Sequence, residues 1–164
     1  MLAALRGVYP TFRVTLFTIP RLCTTEFIKD MQAISWIDIV PHGWAHRTSK
    51  ECANWTAEQM GECLDNIESM GFLTRGFKAP GWQISDACYR VLYERGYWLA
   101  DKEYNNARRP RGLPVYLLDQ PWKIHGHVGS TIDNDLTRIY PKLLSLPVDT
   151  EFCRVQGFAL PWRL

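Results

Sequence analysis

The chain has no acidic residue before Glu26, so nothing upstream of that position can act as a carboxylate base or a carboxylate metal ligand. It has five cysteines, an odd number, widely spaced and without a CxxC pair. That argues against a zinc knuckle and a disulfide framework, and favours a reducing compartment. The formal charge is only +2, and no Lys/Arg run forms a basic stripe, so nucleic acid is not an expected partner. Arg108, Arg109 and Arg111 cluster around Pro110 and Gly112 and read as a solvated loop, with binding of an anionic substrate as the alternative. No stretch approaches the ~20 apolar residues of a membrane helix. The opening Met-Leu-Ala-Ala-Leu-Arg lacks the charged start and apolar run of a secretory signal. Repeats and low-complexity segments are also missing. The expectation is a cytoplasmic protein without a membrane partner, folded as a single domain over 1–164.

What is present is a substantial core composition, with 46% hydrophobic and 13% aromatic residues, and an alternation of strand-like and helix-like segments. Val14 to Ile19 is a short β-rich run ended by Pro20, the pattern of a buried parallel strand. Thr24 or Thr25 caps a helix through Ala33, and Trp36 to Val40 is the next strand. Thr56 opens the clearest helix, with Gln59 completing a capping box and Met60, Cys63, Leu64 and Ile67 at helical spacing. A strand near Gly76–Ala79 leads into Pro80-Gly81-Trp82. Ser85 caps a helix that ends at Gly96. Further strands are expected at Tyr97–Ala100, Val115–Leu118, Trp122–Val128 and Phe152–Phe158, with a helix around Leu136–Leu144 kinked or stopped by Pro141. This order indicates an α/β fold with a mostly parallel sheet, open or closed into a barrel, whose sites gather at the C-terminal ends of strands.

The four histidines fall in two clusters, His42 with His46 and His125 with His127. His42 and His46, spaced i, i+4 just past a strand, meet on one side if they share a helical turn, as metal chelation requires. His125 and His127 project to one face if their segment is extended. One of them then serves as a general acid, while the other positions it or joins the metal. The structural alternative is four ordinary buried or surface histidines.

In this order, VTLFTIP, PHGWAHRT, GFKAPGW and WKIHGH resemble segments of the polysaccharide deacetylase (NodB-homology, carbohydrate esterase family 4) superfamily, over about residues 3 to 130. The resemblance implies a distorted (β/α) barrel, TIM-barrel-like, and a hydrolase that removes acetyl groups from N- or O-acetylated sugars or polysaccharides, breaking C–N bonds of linear amides. It implies a divalent metal held by His42 and His46, zinc first, with cobalt, manganese, nickel or iron as alternatives. It also makes His125 the catalytic acid and places Lys78 (where the family usually has arginine), Pro80, Trp82 and His127 in the substrate groove. The family's first strand carries an Asp-Asp pair, and this chain has none. The barrel is therefore expected to be incomplete at its N-terminal strand, either through a start downstream of that pair or through its replacement. Asp101 is the expected substitute base, ahead of Asp38, and the exposed sheet edge beside VTLFTIP is expected to promote self-association. Two further readings stand beside the enzyme: an inactive family member that binds carbohydrate or a protein partner, and a three-His zinc centre of other purpose.

Overall fold

The computed structural model describes residues 2–117 and 135–146. The expected strands Trp122–Val128 and Phe152–Phe158, and with them Trp122, His125 and His127, lie outside the described residues. Two compact units are distinguished, and the described part of the larger one runs from Val14 to Leu117. In it the order is β1 (Val14–Thr18), α2 (Thr25–Ala33), β2 (Ile37–Pro41), α3 (Ala57–Ser69), β3 (Gly76–Lys78), α4 (Asp86–Glu94), β4 (Trp98–Asp101) and β5 (Val115–Leu117). The described part of the smaller unit holds α1 (Leu2–Val8) and α5 (Asp135–Leu144).

All strand pairs among the described residues are parallel. β1 pairs with β2, β3 with β4 and β4 with β5. A single parallel bridge, His42 to Lys78, links the end of β2 to β3. Each strand therefore neighbours the next in the chain, the arrangement that strand–helix–strand crossovers produce. Among the described residues β1 has one strand partner, and all five of its residues are half-buried. β2 to β4 are mostly buried, as strands covered on both faces should be.

Local chemistry sets the ends of the helices. The Thr24 side chain accepts from Phe27 N, Ser85 accepts from Cys88 N, and Thr56 and Gln59 form the reciprocal capping box. Ile28 of α2, Met60, Leu64 and Ile67 of α3, and Cys88 and Leu92 of α4 are each 0% exposed and pack on Ile39, Phe77 and Leu99 of the strands. Full burial of each large side chain contributes roughly 1.5–3 kcal/mol. β3 and β4 come into very close contact: a Cβ on Gly76 would lie 2.3 Å from the Trp98 ring, so only glycine fits beneath that indole.

The smaller unit contains a helix that the sequence pattern did not signal, α1, whose Leu5 is fully buried. Tyr9 Oη donates to the carbonyls of Leu143 and Leu146, at 2.7 and 2.9 Å, and so ties this segment to the end of α5. Pro141 lies inside α5, and the helix continues to Leu144. Among the described residues no helix is long and apolar enough to cross a membrane.

Candidate active site at the strand ends

The C-terminal ends of β1, β2 and β3 meet at His42. Its backbone N–H donates to Thr18 O at 2.7 Å, while the next residue, Gly43, donates to Lys78 O at 3.0 Å. The same Lys78 carbonyl lies 3.0 Å from His42 Nδ1. A carbonyl oxygen can only accept, so Nδ1 carries the hydrogen, and in the neutral ring the Nε2 lone pair is left for another partner. That partner is Lys78 Nζ, at 3.3 Å.

His46 reaches His42 without the helical turn expected from its spacing. Residues 42–46 form a bend, Gly43 has φ +63° and His46 has φ +48°, a left-handed conformation uncommon outside glycine. The two rings nevertheless meet edge-on with centroids 4.6 Å apart. Glu51 folds the loop into this shape. Its carboxylate accepts from the backbone N–H groups of Trp44 (3.2 Å), Ala45 (2.9 Å) and His46 (3.1 Å). A Cβ on Gly43 would come within 2.3 Å of that carboxylate and 2.7 Å of Pro80. No spacing rule marks Glu51 in the sequence. Its one signal is that no other acidic residue lies between Asp38 and Glu58.

Lys78 is 3% exposed. Its ammonium stands 4.1 Å from the Trp82 ring centroid and 5.6 Å from that of Phe17. Burial, followed by the neighbouring Lys102 charge, pulls its pKa down to about 8, with Asp101 acting in the opposite sense. Lys102 lies 5.1 Å from the Trp82 ring. Trp82 itself has φ +63°, and its carbonyl accepts from Asn105 Nδ2 at 3.1 Å. Pro80 is buried beside it.

Asp101 ends β4, one residue past the partner of Lys78, and is 2% exposed. One carboxylate oxygen accepts from Lys102 N and from Asn105 Nδ2, both at 2.8 Å. The other accepts from Tyr89 Oη at 3.3 Å and pairs with Arg109 Nε at 3.2 Å. Burial and the Asp101 charge together push the Tyr89 phenol upward. The sequence pattern puts Arg109 in a solvated loop, yet its side chain is only 7% exposed. The buried carboxylate draws it inward, where the guanidinium offsets the cost of an unpaired charge. Arg108 stays at the surface, paired with Asp86 at 2.8 Å. Asp38 lies on β2 opposite Thr15 and is half-buried.

Comparison with family models, curated proteins and solved structures finds no match to this chain.

In donor chemistry the histidine pair suits a divalent metal. A ligating imidazole ordinarily donates its other N–H to a carbonyl or carboxylate, as His42 Nδ1 does to Lys78 O. In number the set is short, since no group of three or more His, Cys, Asp or Glu side chains able to hold a metal occurs among the described residues. Trp44, between the two histidines in the chain, also lines an open cleft of about 240 Å³ with Trp55, Gln59, Glu62, Cys63 and Asn66.

Proposed function

We propose that this chain is a polysaccharide-deacetylase-like domain of distorted-barrel type that uses His42 and His46 as part of a divalent metal site, most suitably zinc, to act on an acetylated sugar. The observation that carries the reading is the oriented histidine pair at the ends of parallel strands, with His42 Nδ1 tied to a backbone carbonyl and Nε2 turned into the site. The consecutive parallel order β1 to β5 supports the barrel. The Trp44–Trp55 cleft, with its amide and carboxylate side chains, supports a sugar ligand, which needs an aromatic face and planar hydrogen-bonding groups.

A metal there would polarise the acetyl carbonyl and lower the pKa of water. The chain's own residues do the rest. Glu51 fixes the histidine loop, Trp82 and Pro80 are the proposed substrate-groove residues beside Lys78, and His125 is the proposed proton donor to the departing amine.

One observation favours a second reading, in which the domain binds its ligand with little turnover. Both carboxylates of the described site are already engaged, Glu51 by three backbone N–H groups and Asp101 by Arg109, Asn105, Tyr89 and Lys102 N. Every oxygen of the two already accepts a hydrogen bond or pairs with Arg109, which competes with a role as proton acceptor. Zinc titration and acetate release from chitin oligomers test the two readings. We expect zinc to bind the chain and to bind His42→Ala at least tenfold more weakly, with acetate release at or near background. Zinc affinity unaffected by His42→Ala would refute the metal site. Robust zinc-dependent release, lost in His125→Ala, would refute the weak-turnover reading and retain the enzyme.

A further inference from the structure

The lone pair of His42 Nε2 is claimed twice. It faces the Lys78 ammonium at 3.3 Å, and it is also the only lone pair that His42 can offer a metal, because Nδ1 is committed to the Lys78 carbonyl. A zinc ion on that nitrogen sits at about 2.0–2.1 Å, which leaves no room for an ammonium nitrogen at its present place. The two are also both cations, in a pocket where Lys78 is 3% exposed and Lys102 already adds positive charge across the Trp82 ring. Sharing is excluded on steric and electrostatic grounds alike.

We propose that Lys78 is a resident cation that competes with the metal for His42, so that metal binding requires the ammonium to swing away from Nε2. The inference rests on the reading of His42 and His46 as metal ligands and adds a determinant of their affinity. The surroundings make Lys78 suited to this role. Its stem is packed at the end of β3, its head is held over the faces of Trp82 and Phe17, and its own backbone carbonyl orients the imidazole it blocks. One residue thus both aligns the ligand, through its carbonyl, and occupies it, through its side chain. The side chain can be exchanged without touching the alignment.

Zinc affinity measured by competition with a fluorescent chelator separates the outcomes. Lys78→Met, which keeps the length and removes the charge, should bind zinc about 10–100-fold more tightly than the unaltered chain, the range over which neighbours of a ligating histidine act. Lys78→Arg, which keeps the charge, should gain much less. In the unaltered chain, saturating zinc should raise labelling of the Lys78 amine by an acylating reagent, read by mass spectrometry, a result independent of whether any variant folds. Equal affinity of the unaltered chain and Lys78→Met, or equal gains in Lys78→Met and Lys78→Arg, would overturn the competition while leaving the histidine site standing. Zinc-independent labelling of Lys78 in a chain that binds zinc would do the same. Zinc binding insensitive to His42→Ala would remove both the competition and the reading beneath it.

Discussion

At the scale of the residue, the site depends on a few side chains whose main work is to hold backbone. Glu51 is the clearest. Three N–H donors converge on one carboxylate, and they belong to the segment that carries His46 in its left-handed conformation. Hydrogen bonds to a charged acceptor are individually worth about 1.5–3 kcal/mol. They are not additive within one loop. Glu51→Ala should therefore cost about 2–3 kcal/mol in urea unfolding and release the loop, so that zinc affinity falls with stability. A variant as stable as the parent would show that the loop holds its shape without the carboxylate. Asp101 has the same character. The resemblance offers it as a base, and the structure surrounds it with Arg109, Asn105, Tyr89 and Lys102 N. That is the environment of a carboxylate fixed in place.

At the scale of the element, what was legible in the sequence was what local chemistry decides. Thr24, Thr56 and Ser85 cap helices where their hydroxyls and the following apolar spacing indicated. The five β-branched and apolar runs that fall among the described residues became strands within a residue or so of their expected ends. Thr56 is exposed and its side chain serves the cap, so Thr56→Ala should cost about 1 kcal/mol, seen as a small drop in melting temperature with zinc binding unchanged. A cost near zero would mean that α3 is held by its buried face alone. What was not legible depended on contacts distant in sequence. The i, i+4 spacing of His42 and His46 predicted a helical turn. The chain instead bends there, because Glu51 and the β3 carbonyl of Lys78 take the loop's N–H groups. Arg109 looked solvated because its partner, Asp101, stands across a turn. Helix α1 is short and has no acidic residue in its first turn, so little in its own sequence announced it.

At the scale of the whole molecule, the buried protonated groups set how the protein responds to alkali. Burial pushes the Cys63 thiol up to about 12 and raises Cys52 and Cys88 as well. It also carries Tyr116 up to about 12 and raises Tyr89 and Tyr97, with Asp101 and Glu68 respectively adding to the effect. For each of these groups the folded state keeps a proton that the unfolded chain gives up, near pH 9 for a thiol and pH 10 for a phenol. The folded state then binds more protons, and stability falls as pH rises. The contribution is intact below the unfolded value and lost on the way to the folded one. Lys78 works in the opposite sense, because its folded pKa of about 8 lies below the ordinary 10.5 and the unfolded chain there holds the extra proton. Between pH 8 and 9 the lysine acts alone and stability should rise slightly. Above pH 9 four thiols oppose one lysine, because burial raises Cys23 as well as Cys52, Cys63 and Cys88, and above pH 10 three tyrosines join them. Each fully buried thiol then costs at most about 1.4 kcal/mol per pH unit. Urea midpoints measured from pH 7 to 11 should pass through a maximum near pH 9 and then fall with increasing slope. Cys63→Ala should fall less steeply and Lys78→Met should lack the rise. A midpoint that stays flat from pH 9 to 11 would show that these thiols and phenols ionise as readily in the folded protein as in the open chain, and that the core around Cys52, Cys63 and Cys88 admits water.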